Sequence, residues 1–204
     1  MILKNFIVFE GIDGSGTSTQ LKLLKKHFEN VEITAEPTSN TETGRFLRRM
    51  LGGEFSVDEK TNAYLFAADR CQHLYGKDGI LEMLNNSKIV CSDRYIFSSM
   101  AYQASSCGEE LPALLNSPFP LPQLLFYFVI DPNISLKRVN ERNEKKEIYE
   151  KIETQQKIAF MYEKVISSYE QNQKEMKIVR IDATKSIEEI EKQIFDTIKK
   201  EIKP

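Results

Sequence analysis

Residues 5–20 read NFIVFEGIDGSGTSTQ. An apolar run at 5–9 ends in Glu10 and gives way to three glycines, Gly11, Gly14 and Gly16. Leu21, Leu24 and Phe28 then mark one face of a helix. A strand, a glycine-rich turn and a helix in succession form a cradle for phosphate. The glycines let the backbone approach closely. Its N–H groups point into the turn, and the following helix adds its positive end. The spacing follows G-x-x-x-x-G-K-[ST], with Gly11, Gly16 and Ser18 in place and Thr17 where the lysine belongs. The loop residues Ile12, Asp13, Gly14, Ser15, Gly16 and Thr17 are therefore candidates to hold ATP. Ser18 supplies a hydroxyl for Mg²⁺, and Thr19 reinforces the phosphate contact.

Thr17 removes one positive charge from the β/γ-phosphate region. A charge-assisted hydrogen bond contributes roughly 1.5–3 kcal/mol. A cation that stabilises the transition state is worth more, on the order of 10³ to 10⁵ in rate. The loop amides and the metal hydroxyl survive the change, so ATP can still bind. Fast transfer needs a cation from elsewhere in the chain.

Outward from the loop, apolar runs alternate with amphipathic segments. Strands are expected at 5–10, 31–36, 88–93, 124–130 and 177–181, several of them continuously apolar, as in a parallel sheet covered on both faces. Helical faces are marked by Ile152, Ala159, Tyr162, Ile166 and Tyr169, and by Ile187, Ile190, Ile194, Ile198 and Ile202. One long helical segment is expected to cover much of 58–86. The alternation predicts an α/β fold with helices on both faces of the sheet, and LGGEF (51–55) and NSPFPLP (116–122) read as local breaks.

The length, 204 residues, suits one domain spanning 1–204. A formal charge of −2 offers no argument for nucleic acid or a membrane surface as partner. The longest apolar run, LLFYFVI (124–130), is too short to cross a bilayer. No long hydrophobic segment opens the chain, and Cys71, Cys91 and Cys107 are scattered, as reduced thiols would be. A cytoplasmic location is the default expectation.

Three further blocks carry polar groups. In LFAADRCQH (65–73), Phe66 and Arg70 lie four apart and share a helix face. They suit either a flat heterocycle with carbonyl oxygens or a core phenylalanine beside a surface ion pair. CSDRYIFSSMAYQ (91–103) starts where a strand ends, so Asp93 can approach Mg²⁺ and Arg94 stands at the sheet mouth. Ser98, Ser99, Tyr102 and Gln103 follow. AEPTSNTETGRFLRR (35–49) brings Glu36, Arg48 and Arg49. Residues 137–151, KRVNERNEKKEIYEK, read as a solvated helix face or as a mobile flap with cations for a phosphate. His27 and His73 read as surface or helix-packing residues.

In their order and spacing, FEGIDGSGTSTQ, EPT, LFAADRCQH and DRYIFSSMAYQ resemble the thymidylate kinases, and the likeness continues through IDPNISLKRVNER (130–142) to IDATKSIEEI (181–190). The resemblance implies a three-layer P-loop kinase fold with a five-stranded parallel sheet flanked by helices and a mobile lid at about 138–151. It also implies transfer of the γ-phosphoryl group of ATP to dTMP with Mg²⁺, in a homodimer. By the same resemblance Phe66 stacks on thymine and Arg70 contacts a thymine carbonyl. Ser99 and Gln103 lie at the base edge, and Tyr102 sits where a 2′-hydroxyl would be. Asp13 lies near the acceptor sugar and phosphate and helps orient the acceptor, Glu36 is near the sugar or the metal, Arg48 and Arg94 hold the acceptor phosphate, and Arg94 also meets the transferred group. The segment from IDATKS would border the adenine.

This chain departs from the family pattern at Ala35, where an arginine is usual, and at Thr17. Family members with glycine at the position of Gly14 use lid arginines for transfer. Here the lid offers Arg138 and Arg142, with Lys145, Lys146 and Lys151 beyond, and Arg142 is the best candidate for the missing cation. A kinase for another nucleotide and a non-catalytic nucleotide-binding homologue are the alternatives.

Overall fold

The computed structural model describes residues 1–141, 149 and 151–202. The chain opens with strand β1 (Ile2–Gly11), helix α1 (Thr17–Leu24) and strand β2 (Val31–Ala35). Helices α2 (Glu42–Leu51), α3 (Glu59–Tyr75) and α4 (Ile80–Asn85) lead into strand β3 (Ile89–Asp93). Helices α5 (Ile96–Tyr102), α6 (Ala104–Cys107) and α7 (Glu110–Asn116) precede strand β4 (Leu121–Val129). Helices α8 (Pro132–Glu141) and α9 (Ile152–Asn172), strand β5 (Lys177–Asp182) and helix α10 (Ile187–Glu201) complete it. The five strands form one parallel sheet in the order β2-β3-β1-β4-β5.

The all-parallel sheet follows from its sequence. Phe6, Ile7, Val8 and Phe9 of β1 and Leu124, Leu125 and Phe126 of β4 are fully buried. A strand that is apolar at consecutive positions needs cover on both faces. Phe9 packs against Phe126 and Phe128 with ring centroids 5.1 and 6.0 Å away. The helix pairs α1–α10 and α5–α9 supply much of that cover.

Two boundaries and one buried face differ from the expectation. The single helix foreseen over 58–86 is two helices, because Gly76, a left-handed Asp78 (φ 58°) and Gly79 interrupt it. Strand β4 begins at Leu121, inside the stretch read as a break, and pairs with Ile2 and Leu3. The register shifts between Leu3 and Ile7, where Asn5 takes φ 62° and its N–H donates to Gln123 Oε1 at 2.8 Å. Along α9 the buried stripe runs through Ile158 rather than Ala159, together with Tyr162 and Ile166. No helix among the described residues is long and apolar enough to cross a membrane.

The carboxyl ends of β1, β2 and β3 lie side by side, in register at Phe9, Ala35 and Asp93. The sheet order thereby brings the glycine turn, the Glu36 segment and the Asp93–Arg94 segment to one edge. Such crevices are where open α/β sheets bind ligands.

Candidate active site

A cavity of about 430 Å³ opens at that edge. The loop after β1 forms one wall, with Ile12, Asp13, Gly14, Gly16, Thr17 and Ser18. Gly14 and Gly16 have φ of 81° and 99°, so both need the freedom of glycine. The left-handed Gly16 is the N-cap of α1, with no side-chain cap and no acid in the first turn. Among the described residues, no protein acceptor takes the N–H of Thr17 or Ser18. These free donors and the helix end make an anion seat. Gly11 and Ser15 are buried behind the seat, Ser15 closing the turn by donating its N–H to Ile12 O at 3.1 Å. Thr19 is exposed and does not line the cavity.

Ser18 Oγ donates to Asp93 Oδ2 at 2.5 Å, so both expected metal residues meet at the loop's end. Two neighbouring oxygens suit a hard cation that takes its remaining ligands from phosphate and water. No cluster of three or more acidic, histidine or cysteine side chains exists among the described residues. This sparse protein donor set fits Mg²⁺ held jointly with a nucleotide.

Arg94 and Asp13 form the centre of the cavity. Arg94 Nη2 donates to Asp13 Oδ1, and its Nη1 donates to Gly11 O at 2.9 Å. Its guanidinium lies 4.9 Å from the Tyr102 ring centroid. Tyr102 donates its hydroxyl to Asp13 Oδ1 at 3.1 Å, and Gln155 Nε2 of α9 donates to Oδ2 at 3.0 Å. Burial raises the Tyr102 phenol well above its usual range, so it stays a neutral donor.

Phe66, Ser99 and Gln103 line the far side, with Arg48. Gln103 Oε1 is buried with no partner among the described residues. Arg48 is fixed by donating to the carbonyls of Thr38, at 3.1 Å, and Pro37. That turn is held in place by Asp69, which accepts from Thr38 N and Oγ1 (both 2.7 Å) and Thr43 Oγ1 (2.8 Å).

Arg70 departs from the expectation. It is 1% exposed and does not line the cavity. Its Nη2 donates to Glu36 Oε2 (2.6 Å), Ser99 Oγ (3.0 Å) and Tyr95 O (3.0 Å), and its Nη1 donates to Asn116 Oδ1. A guanidinium so engaged acts on a ligand through Glu36 and Ser99. The Glu36 carboxylate is shared with His73 Nδ1 at 3.0 Å, and His73 Nε2 meets Thr34 Oγ1 at 2.5 Å. His73 is therefore buried in the wall behind the cavity, beyond the helix-packing role read from sequence. His27, by contrast, pairs with Glu191 near the surface.

At the other end, Arg138 of α8 donates to Ala183 O at 3.0 Å, beside the 181–186 segment expected to border adenine. Val139 and Tyr149 reach the cavity. Arg142, Lys145 and Lys146 lie outside the described residues.

Sequence reading singled out no role for Glu10, Gln155, Tyr162 or Ser135, all of which touch the cavity residues or their partners. An acid closing a strand that is otherwise apolar was the available signal for Glu10.

A family model described as thymidylate kinase matches residues 9–194. A protein of Treponema pallidum (strain Nichols), carried as "Putative thymidylate kinase", is 40% identical over 197 residues, covering 95% of this chain and 94% of its own. A "Thymidylate kinase" of Leptospira interrogans is 38% identical over 208 residues, covering 97% and 95%. The solved structure of the thymidylate kinase from Candida albicans superposes with a TM-score of 0.77 at 21% identity, over 97% of this chain and 92% of that one. At that identity the likeness speaks for the fold.

Proposed function

The chain belongs to the thymidylate kinase family, and from that premise we propose how its cavity transfers the γ-phosphoryl group of ATP to dTMP, forming dTDP and ADP. One observation carries this reading. The Asp13–Arg94 pair joins the anion seat of the glycine loop to a compartment lined by Phe66, Ser99, Tyr102 and Gln103 within a single cavity.

The free loop amides, those of Thr17 and Ser18 among them, hold the ATP phosphates. Ser18 and Asp93 would hold Mg²⁺ together with those phosphates, and the ion would supply positive charge there. Phe66 stacks on thymine. Ser99, fixed by Arg70, and Gln103 meet the base edge, and the buried Gln103 Oε1 is an acceptor ready for a ring N–H. Tyr102 fills the space beside Asp13 where a ribose 2′-hydroxyl would sit. Arg48 and Arg94 hold the acceptor phosphate, whose own oxygen attacks, so no protein nucleophile is required. Transfer is then mainly alignment and charge stabilisation.

Arg138 and Arg142 bring the lid's charge to the donor side in place of the absent lysine at Thr17. Arg142→Ala should slow single-turnover transfer at least tenfold, about 1.4 kcal/mol, while ATP affinity changes little. Unchanged transfer in that variant rejects the lid assignment, and a large gain in Thr17→Lys shows that compensation is incomplete.

The same reading takes residues 1–204 as one unit, acting as a homodimer in the cytoplasm. An exposed stripe on α3 with Tyr64, Cys71 and Tyr75 offers apolar surface for a second copy.

A coupled ATP–dTMP assay with identification of both products tests the activity. ADP and dTDP should form one for one, and dUMP, dGMP and thymidine should be poorer acceptors. Nucleotide binding without dTDP formation overturns the proposal.

A further inference from the structure

Behind the Asp13–Arg94 pair lies a carboxyl group for which the reaction has no direct use. Glu10, at the end of β1, is fully buried. Its Oε1 accepts the backbone N–H groups of Tyr95 (2.8 Å) and Ser98 (3.2 Å), at the start of α5. Its Oε2 accepts the hydroxyls of Ser98 (2.6 Å) and Tyr162 (2.8 Å). Arg94 Nη1 donates to the same two hydroxyl oxygens, Ser98 Oγ at 3.2 Å and Tyr162 Oη at 3.1 Å. The hydroxyls thus stand between a carboxylate and a guanidinium.

Each hydroxyl has one hydrogen. The two oxygens are also 2.8 Å apart, so each hydrogen has competing acceptors. A negative carboxylate wins them, because hydrogen bonds to charged acceptors are about twice as strong as neutral ones. With both hydrogens on Glu10, only lone pairs remain for Arg94. We propose that Glu10 is a positioning residue for phosphoryl transfer, turning the Ser98 and Tyr162 hydroxyls so that their oxygens seat the Arg94 guanidinium at the transferring phosphate. This rests on the assignment of Arg94 to that phosphate.

Protonation reverses the arrangement. A proton on Oε2 needs an acceptor, and among the described residues its hydrogen-bond partners are the two hydroxyls. The one that accepts spends a lone pair on that proton and turns its own hydrogen to the other hydroxyl oxygen or towards Arg94, so either way Arg94 loses an acceptor. Burial pushes the Glu10 carboxyl up to about 7, against the opposing pull of Ser98, Arg94, Tyr162 and the Tyr95 N–H. The charged and titratable groups facing it are Arg94 from the segment after β3, Tyr162 from α9 and Tyr127 from β4, with Asp13 beyond Arg94; Tyr95 meets it through its backbone N–H. Burial raises Tyr127 and Tyr162 so far that neither titrates in this range. Glu10 is the group that switches.

Single-turnover transfer, with KM for both nucleotides, is to be measured between about pH 6 and pH 8.5 in wild type, Glu10→Gln, Tyr162→Phe, Ser98→Ala and Arg94→Ala. The amide of Glu10→Gln mimics the protonated acid at every pH. The dTMP phosphate itself titrates near pH 6, so the informative quantity is the ratio of wild-type to Glu10→Gln rates, in which the substrate's share cancels. The ratio should reach about 10–100 at pH 8, the scale of a small misplacement in a transfer site, and should be about five- to ninefold lower at pH 6, where roughly a tenth of Glu10 is still ionised. KM for ATP should change less than about threefold. A ratio independent of pH, whether large or near one, overturns the proposal. If Glu10→Gln does not fold, Tyr162→Phe and Ser98→Ala decide: each should slow transfer several-fold, and wild-type rates in both reject the idea. If Arg94→Ala itself transfers at the wild-type rate, the assignment of Arg94 fails and this inference falls with it. A slow Arg94→Ala beside a fast Glu10→Gln sinks the inference alone.

Discussion

Arg94 sits at φ 72°, a left-handed backbone that costs a non-glycine residue about 1–3 kcal/mol. Its N–H donates to Phe9 O at 2.9 Å and its carbonyl accepts Ser92 Oγ at 2.7 Å. The surroundings thus hold a strained residue where its side chain reaches the centre of the cavity, beside Asp13 and Gly11 O. Arg94→Lys keeps the charge but loses the fork that serves Asp13, Gly11, Ser98 and Tyr162 together, so transfer should fall about 10³-fold in single-turnover kinetics. Arg70→Met should act differently. It strands the buried Glu36 and should cost about 3–5 kcal/mol in denaturant unfolding. The ratio of dTMP to dUMP turnover should move less than that stability loss implies, because Arg70 faces no cavity wall. Sequence spacing put Phe66 and Arg70 on one helix face. That only Phe66 lines the cavity depends on Glu36 and Asn116, which lie 34 and 46 residues from Arg70. Local periodicity does not contain such partners.

Strand–helix alternation was legible because the elements carry their periods in the chain. Residues 6–9 and 124–128 are apolar without a break, and the capping box of Ser186 and Glu189 opens α10 where the isoleucine pattern begins. The break at Gly76–Gly79 was harder to place, since apolar residues at helical spacing continue on both sides of it. The start of α2 depends on a distant helix. Thr41 caps it through Gly44 N, while Asp69 of α3 gathers Thr38, Thr41 and Thr43. Asp69→Ala leaves several buried donors unpaired. It should lower the melting temperature by several degrees, as a loss of about 2 kcal/mol would. It should also raise KM for dTMP, since Arg48 is hung on the same turn.

For the whole molecule, the Glu10 shift also governs stability. The folded carboxyl titrates at about 7 and the unfolded one near its usual value of 4.5, so the native state holds the proton more tightly. The stabilising effect is full below the unfolded value and is lost as pH rises through about 7, roughly 3 kcal/mol in all. Chemical denaturation at pH 5 and pH 8 should show this fall in the wild type and a much smaller one in Glu10→Gln. Global architecture also decides which groups meet. The order β2-β3-β1-β4-β5 assembles the cavity from loops that are remote in sequence, and each loop followed a strand end that the apolar runs had marked.

A methyl group added at Gly14 would lie 2.4 Å from Ser135 O, and Ser135 Oγ donates to Asp13 O at 2.6 Å. The phosphate turn is thus soldered to the base of α8. An arginine installed at position 14 would have to evict that helix before it could reach a nucleotide. The space beside the turn is already taken by α8, so this chain has no room for a side chain borne on the turn at that point.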